Sequence, residues 1–512
     1  MKLGGDALYS NCDKLLVVVR ELVQNARDAI YARVNQEKSY TIENGYINVD
    51  VSKADDDVYI EVADNGVGMS ENVIKNVFLG FGNSLWHSSM VKSEFPGLKS
   101  SSFTPIGRYG IGFYSVFMIA DEVVVETRHY KKGTNSTIQL KFPNGLILAP
   151  IMSVLDNNDT MTSTKISIKI NKNKYVWKDQ IFIVLNHDSL KSSRVPIDDI
   201  LKAVFAGLDM KVTYSINHGD PRCIHQNIMQ DGFDAKQWLR DISYADYWKE
   251  KSIDEYIENN YQRLERIDIP GKVRGFAAVN TLPNTEGAFL SVDTIGGLAN
   301  LTNFLSRESK FYIGYLDYAS TSASRNRIFQ IEDAFIADLK PWAQHQFELC
   351  KDLLTIEQKV YLPYLWVQLG VDSSEICMVS VLNPVDGNIE VLSISEIINK
   401  LKHEHEHLVF IMRQSLGTVY TIETSIMYDK ASVRTLLPDV DDSYRVLVPC
   451  NCQHNFIFLR VKPEGNTLSD YIFREAKKQN VIIDREEKVV TMKNGPYYTS
   501  SDVYLLILSC KK

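Results

Sequence analysis

Three polar side chains interrupt an otherwise apolar stretch near the start of the chain: Glu21, Asn25 and Asp28 in RELVQNARDA, residues 20–29. On a helix turning about 100° per residue, spacings of four and three confine them to an arc of roughly 60°. Leu15, Val18, Val19, Leu22, Ala26 and Ile30 take much of the remaining circumference. A surface helix widens its polar face with Lys and Glu pairs. A narrow stripe of carboxylate, amide and carboxylate instead suits the wall of a ligand site.

Three further pieces can be set beside that stripe. In DNGVGM, Asp64 ends an expected strand, and Gly66, Gly68 and Met69 follow at D-x-G-x-G spacing. Glycines let the backbone turn sharply and approach a flat ligand, and an aspartate there can accept from an exocyclic amine such as that of adenine. A simple strand-ending turn explains the same residues. In GRYGIGF, comprising Gly107, Arg108, Tyr109, Gly110, Ile111, Gly112 and Phe113, backbone N–H groups at a glycine-rich helix start would cradle an anion such as phosphate. Neither a Walker A pattern nor a dinucleotide fingerprint fits, and PGKVRG near residue 272 lacks the spaced glycine and the hydroxyl after Lys. Thr162 and Thr164 begin the expected strand TSTKISIKI. Each piece alone is weak. Their order is what makes the set specific.

Metal chemistry has two candidates. Cys450, Cys452 and His454 in CNCQH could share one face of a strand, but no fourth ligand for tetrahedral zinc stands nearby. HEHEH, His403 to His407, reads equally well as an exposed polar helix end.

The elements that must position these residues are legible in part. Residues 14–34 read as a helix, 45–66 as a strand hairpin, and SENVIKNVFLGFG as a short helix. Residues 83–106 have no clear period, and such a long loop inside a compact domain is usually functional or mobile. Glycines 107–112 lead into an apolar helix, and strands follow at EVVVETRHY, STIQLKF and STKISIKI, closing a first region near residue 172. Residues 176–202 read as helical and linking. RGFAAVNTLP, GAFLSVDTIGGL and KFYIGYLDYAS then read as strands, followed by a helix at 329–353, and short strands dominate from about 372. The expected class is α/β: a domain at 1–175, an α/β domain at 176–355 and a strand-rich region at 356–512.

A chain of 512 residues implies two to four domains. With 45% hydrophobic and 23% charged residues it has a globular profile, and a net charge of −8 argues against a general grip on nucleic acid. No apolar run approaches the roughly 20 residues needed to span a bilayer, and MKLGGDALYSN contains no secretory apolar core, so no membrane partner is expected. Seven scattered cysteines, an odd number, do not form a disulfide framework, and a reducing, cytoplasmic compartment is expected.

The ordered set (acidic helix, D-x-G-x-G, loop, glycine-rich segment, Thr-bearing strand) resembles the GHKL ATPases, the superfamily of gyrase, heat-shock protein 90, histidine kinases and MutL. GRYGIGFYSVFMIAD is most similar to the heat-shock protein 90 family, whose own motif reads G-x-G-F-Y-S followed by Ala-Asp. The resemblance covers residues 14–172 and continues through the middle region, where TSASRNRI is similar to that family's Ser-Arg catalytic loop. It implies a two-layer sandwich of mixed sheet and helices that binds ATP with Mg²⁺. ATP would be bound and hydrolysed to ADP and phosphate, driving closure of a lid at residues 80–106 onto the middle domain.

By the same resemblance, Glu21 polarises the attacking water, Asn25 holds Mg²⁺ and Asp28 lines the pocket. Asp64, with water and Thr164, binds the adenine amine, with Gly66, Gly68 and Met69 beside it. Gly107, Gly110 and Gly112 form the phosphate loop with Arg108, Tyr109, Ile111 and Phe113. Arg325, with Arg327 as a near rival, reaches the γ-phosphate; from the helix arc alone, Arg20 and Arg27 are expected to point away from the polar stripe. Client or partner proteins and a homodimer are the implied partners, in a chaperone or in a regulatory or defence ATPase.

Three departures stand against a full match. Few residues precede the first helix, so an N-terminal strand exchanged between protomers is expected to be short or missing. Ser163 replaces the usual glycine and would crowd the base, and the C-terminal region is strand-rich where the chaperones are helical. A nucleotide-gated scaffold with little turnover is one alternative, and the intact Glu21 weighs against it. A MutL-like DNA-repair clamp is another, disfavoured by the acidic balance and by Phe-Tyr-Ser after the glycines. A histidine kinase needs an upstream phosphoacceptor helix.

Overall fold

The structure is a computed structural model. It describes residues 12–54, 57–107, 109–156, 159–170, 176–177, 181–188, 191–228, 230, 232–243, 251–269, 273–281, 290–302, 304, 310–318, 333–415, 419–422, 430–439, 441–449, 468–492 and 501–511. The chain divides into two units, Met1–Ala278 with Thr285–Gln330, and Val279–Asn284 with Ile331–Lys512.

The first unit begins with helix α1, Lys14–Gln36. Asp13 caps it, its Oδ1 accepting the N–H groups of Leu15 (2.9 Å) and Leu16 (3.1 Å). Most of its apolar residues are buried, and so are Arg20, Glu21, Gln24, Arg27 and Asp28, as expected of a helix packed on more than one side.

Strands β1 (Ile47–Ala54), β2 (Asp57–Asp64), β3 (Ala120–Thr127), β4 (Thr137–Leu146), β5 (Ile151–Leu155) and β6 (Thr164–Ile170) form most of an eight-stranded sheet. Burial alternates strictly along β2 and β6, so one face of the sheet packs and the other is half-open.

Residues 176–202 correct the helical expectation. Among the described residues, they form a three-stranded antiparallel sheet, β7 (Val176–Trp177), β8 (Ile181–Asp188) and β9 (Lys191–Pro196), followed by the helix Ile197–Val204. The run Ile181, Phe182, Ile183 and Val184 is β-branched and aromatic, and its strand preference prevails over any helical period. Strands β10 (Val212–Ile216) and β11 (Arg222–His225) then return to the large sheet, in the order β11-β10-β1-β2-β6-β3-β4-β5. β10 runs parallel to β1 and the other pairings are antiparallel, so the sheet is mixed. It therefore extends past the boundary expected at residue 175.

Residues 83–106 are not featureless. They hold short helical turns at Leu85–His87, Val91–Glu94 and Leu98–Ser100. Val91, Phe95 and Leu98 are buried against Ala32 and Val67, with Trp86 and Phe103 beside them. These residues share a cluster without sharing a period. The expected apolar helix after Gly110 is a 3-10 segment, Gly112–Met118.

The rest of this unit carries β12 (Glu265–Ile269), β13 (Val273–Val279), β14 (Ser291–Ile295), β15 (Leu298–Ala299) and β16 (Tyr312–Tyr318), a five-stranded sheet ordered β12-β13-β16-β14-β15.

The second unit is a seven-stranded sheet with helices, including Ile356–Gln368 and Leu468–Lys478. Alternate residues of the strand His407–Ser415 feed two cores, Leu408, Phe410 and Met412 in one and Val409 and Ile411 in the other. The strand-rich expectation holds for it. Cys450, Cys452 and His454 lie outside the described residues. In HEHEH, a helical turn ends at Glu404, His405 is left-handed and His407 opens a strand, so the histidines do not converge. Among the described residues, no helix is long and apolar enough to cross a membrane.

Candidate functional site

Strand register builds one end of a cavity of about 180 Å³. Asp64, the last residue of β2, pairs with Thr164, the first of β6, and Thr164 pairs in turn with Thr127, the last of β3. Three polar side chains are thereby set in a row across adjacent strand ends. The Thr127 and Thr164 hydroxyls are 3.0 Å apart, and the Met69 N–H donates to Thr127 Oγ1 (3.0 Å). Thr127 can then pass its proton to Thr164, leaving the Thr164 hydrogen available to the cavity. The Gly66 N–H donates to Asp64 Oδ1 (2.8 Å). Burial pushes the Asp64 carboxyl up to about 7 against that hydrogen bond.

The turn after Asp64 is clamped by its neighbour. Asn65 Oδ1 accepts from the Tyr40 hydroxyl (2.6 Å) and the Tyr46 N–H (2.8 Å), while its amide donates to the Asn44 carbonyl (2.8 Å). Gly68 has φ +59°, and a Cβ there would stand 1.9 Å from the Arg128 carbonyl oxygen, so only glycine fits.

Helix α1 supplies the wall. Glu21 and Asn25 line the cavity, the first buried and the second exposed. Arg20 does not point away as expected. Its Nη2 donates to Glu21 Oε1 (2.7 Å) and its Nη1 to the Ala299 carbonyl (3.4 Å). The long side chain swings back past the direction of its own Cβ. Arg27 departs from expectation too, pairing with Asp28 (3.3 Å) and donating twice to Asp209 (3.0 and 2.6 Å).

Asp28 is not a wall of the cavity. It is fully buried, and its two oxygens accept the N–H groups of Ile106 (3.0 Å) and Gly107 (2.8 Å). It anchors the start of the glycine segment from behind. Burial raises its carboxyl, against Arg27 and the two N–H groups.

Gly107, Tyr109, Gly110, Ile111, Gly112 and Phe113 close the other end, facing Asn83 and Ser84. The Gly82 N–H donates to the Gly110 carbonyl (3.3 Å). A Cβ on Gly112 would lie 2.5 Å from Glu21 Oε2, so this glycine makes room for the acid. Met69 and Gly68 line the cavity, whereas Gly66 acts behind it through its N–H. Ser163 does not crowd the space. It is absent from the lining, and its N–H continues the ladder to the Asp64 carbonyl (2.8 Å). Arg108, Arg325 and Arg327 lie outside the described residues.

Thr127, Gln24 and Asn83 were missed by sequence reasoning. For Thr127 the available signal was a strand ending in Thr beside another beginning with Thr.

Residues 14–145 match the family described as histidine kinase-, DNA gyrase B-, and HSP90-like ATPase. The chain is 25% identical over 447 residues to "Chaperone protein HtpG" of Buchnera aphidicola subsp. Cinara cedri, a match covering 80% of this chain and 66% of that protein. It is 35% identical over 126 residues to the HtpG of Helicobacter hepaticus, covering 24% and 19% of the two chains. Against the HtpG of Aliarcobacter butzleri it is 31% identical over 213 residues, covering 38% and 32%. The chain thus spans just under two thirds of the first of these relatives and a third or less of the other two.

Proposed function

Since residues 14–145 belong to the GHKL ATPase superfamily, on its heat-shock-protein-90-like side, we propose that the protein binds and hydrolyses ATP in the cavity beside α1. One observation carries this reading: Glu21, Asn25, Asp64 and Thr164 line the same space. Ionised Asp64 accepts the adenine amine, and the Thr164 hydroxyl, oriented by Thr127, serves the same end of the base. The phosphates lie toward Asn25 and the glycine segment.

The amide of Asn25, exposed on the cavity wall near Gly107, suits a hard cation. Mg²⁺ held there would neutralise phosphate charge. Glu21 takes the proton of the attacking water, with the Arg20 guanidinium 2.7 Å from its Oε1. A cation delivered to the γ-phosphate by Arg325 completes the reading. ATP binding and hydrolysis would drive closure of residues 80–106 toward a middle domain that follows the eight-stranded sheet, in a cytoplasmic chaperone-like machine that pairs with a second copy and acts on client proteins.

ATP turnover measured against protein concentration tests catalysis and pairing together. Saturable turnover whose specific rate rises with concentration is expected, and absence of calorimetrically detectable ATP binding would overturn the reading. The Arg20–Glu21 pair also favours a second reading, a nucleotide-gated scaffold that turns over slowly. Single-turnover kinetics separate the two.

A further inference from the structure

The half-open face of the eight-stranded sheet, opposite Asp64, holds a second constellation. Asp50 of β1 and Glu61 of β2 are direct cross-strand partners. Two carboxylates in that position repel each other, so a cation beside them is favoured; the Lys165 ammonium attracts Glu61 from the neighbouring strand. One oxygen of each is already satisfied. Asp50 Oδ1 accepts from the Ser215 hydroxyl (2.5 Å) and the His218 N–H (3.0 Å), and Glu61 Oε1 accepts from Ser167 (2.5 Å).

The remaining oxygens converge on one imidazole nitrogen. His218 Nδ1 is 3.1 Å from Asp50 Oδ2 and 3.7 Å from Glu61 Oε2. Asp50 is 97% buried, since its exposure is 3%, yet its Oδ2 has no hydrogen-bond partner. The imidazole nitrogen is near it without hydrogen-bonding alignment. His218 sits in the turn between β10 and β11 with φ 57°, and Asn217 before it has φ 50°. This left-handed pair carries the ring back over the sheet.

We propose that Asp50, Glu61 and His218 form a divalent transition-metal site, with Zn²⁺ the best fit. Imidazole nitrogen and carboxylate oxygen are both zinc donors, and bonds of about 2.0–2.2 Å at tetrahedral angles put ligand atoms roughly 3.3–3.6 Å apart. The two separations to Nδ1 bracket that value, and all three ligand atoms lie within 4.8 Å of one another. Mg²⁺ fits less well, because it favours six oxygens. Three protein ligands leave the fourth position to water, and His218 is exposed enough for the ion to enter. The ion would tie the β10–β11 turn to the two strands at the centre of the sheet. The site lies on the face of the sheet opposite the cavity proposed for nucleotide.

The test is titration of the full, tag-free chain with Zn²⁺ against a chelating dye, with Co²⁺ absorption as a report of nitrogen and oxygen coordination. One equivalent should bind and raise the thermal midpoint. His218→Asn, which tolerates the left-handed backbone, and Glu61→Gln should each weaken binding at least about tenfold while circular dichroism is unchanged. No stoichiometric binding, which would leave His218 a simple counter-ion, overturns the proposal. So does unchanged affinity in either variant.

Discussion

At one end of the cavity, Asp64, Thr164 and Thr127 are held by the register of three neighbouring strands. At the other, the glycine segment is held by side chains and a few loop hydrogen bonds, chiefly Asp28 on Ile106 and Gly107 and the Gly82–Gly110 contact. To separate Asp64 from Thr164, a ladder buried on one face must break. To shift Gly107, only a few hydrogen bonds must exchange. One end can therefore recognise a ligand without moving, and the other can change shape when something arrives.

Substitutions can break or sharpen that contrast. The largest effect is expected from Glu21→Ala, which acts at the adjustable end. The proton transfer proposed for it is made only in the transition state, so turnover should fall roughly 10²-fold or more while ATP affinity stays similar. Steady-state turnover beside calorimetric affinity checks this, and retained turnover would assign the water to another group.

Asp64→Asn should weaken adenine binding by about 1–3 kcal/mol, because the amide leaves polar groups mismatched in a desolvated site. Wild-type affinity should also depend on pH. Burial raises this carboxyl to about 7, so the acceptor form is lost as pH falls through that value. Adenosine, which carries no titrating phosphates, should bind several-fold more weakly at about pH 6 than at about pH 8. The Asn variant should show a flat profile.

Asp28→Asn loosens the start of the glycine segment and nothing on the adenine side. ATP affinity should fall about tenfold while adenosine affinity holds, a split readable in parallel titrations. Equal losses for both ligands would mean that the two ends are mechanically one. The smallest effect belongs to Thr127→Val, which removes the hydroxyl between Met69 and Thr164. It should cost about 1 kcal/mol of adenosine binding, near fivefold, and leave the rate of bound ATP unchanged.

The two ends also differ in how far the sequence discloses them. DNGVGM is legible because a turn and its glycines are local chemistry. Thr127 is not, since its role comes from pairing with a strand 37 residues away. The true task of Asp28 depends on backbone 78 and 79 residues distant, which helical period cannot supply. Period does locate Glu21 and Asn25, but it treats a side chain as the direction of its Cβ, and the long Arg20 escapes that rule. In the fold, strands with alternating apolar residues were found where expected, whereas β7 to β9 were hidden in a segment read as helix. The parallel return of β10 to β1 leaves no trace in either strand alone.

That return has a practical side. β1 lies between β2 and β10, with Ile47, Val49 and Val51 each at most 1% exposed. A fragment cut near residue 175 would turn this central strand into an edge, with unpaired N–H and C=O groups beside bare aliphatic side chains. Such edges recruit strands from other molecules. The fragment would also lose Asp209, the bidentate partner of Arg27. Anyone producing the nucleotide domain alone as a monomer should carry the chain through His225, or expect the shorter piece to aggregate.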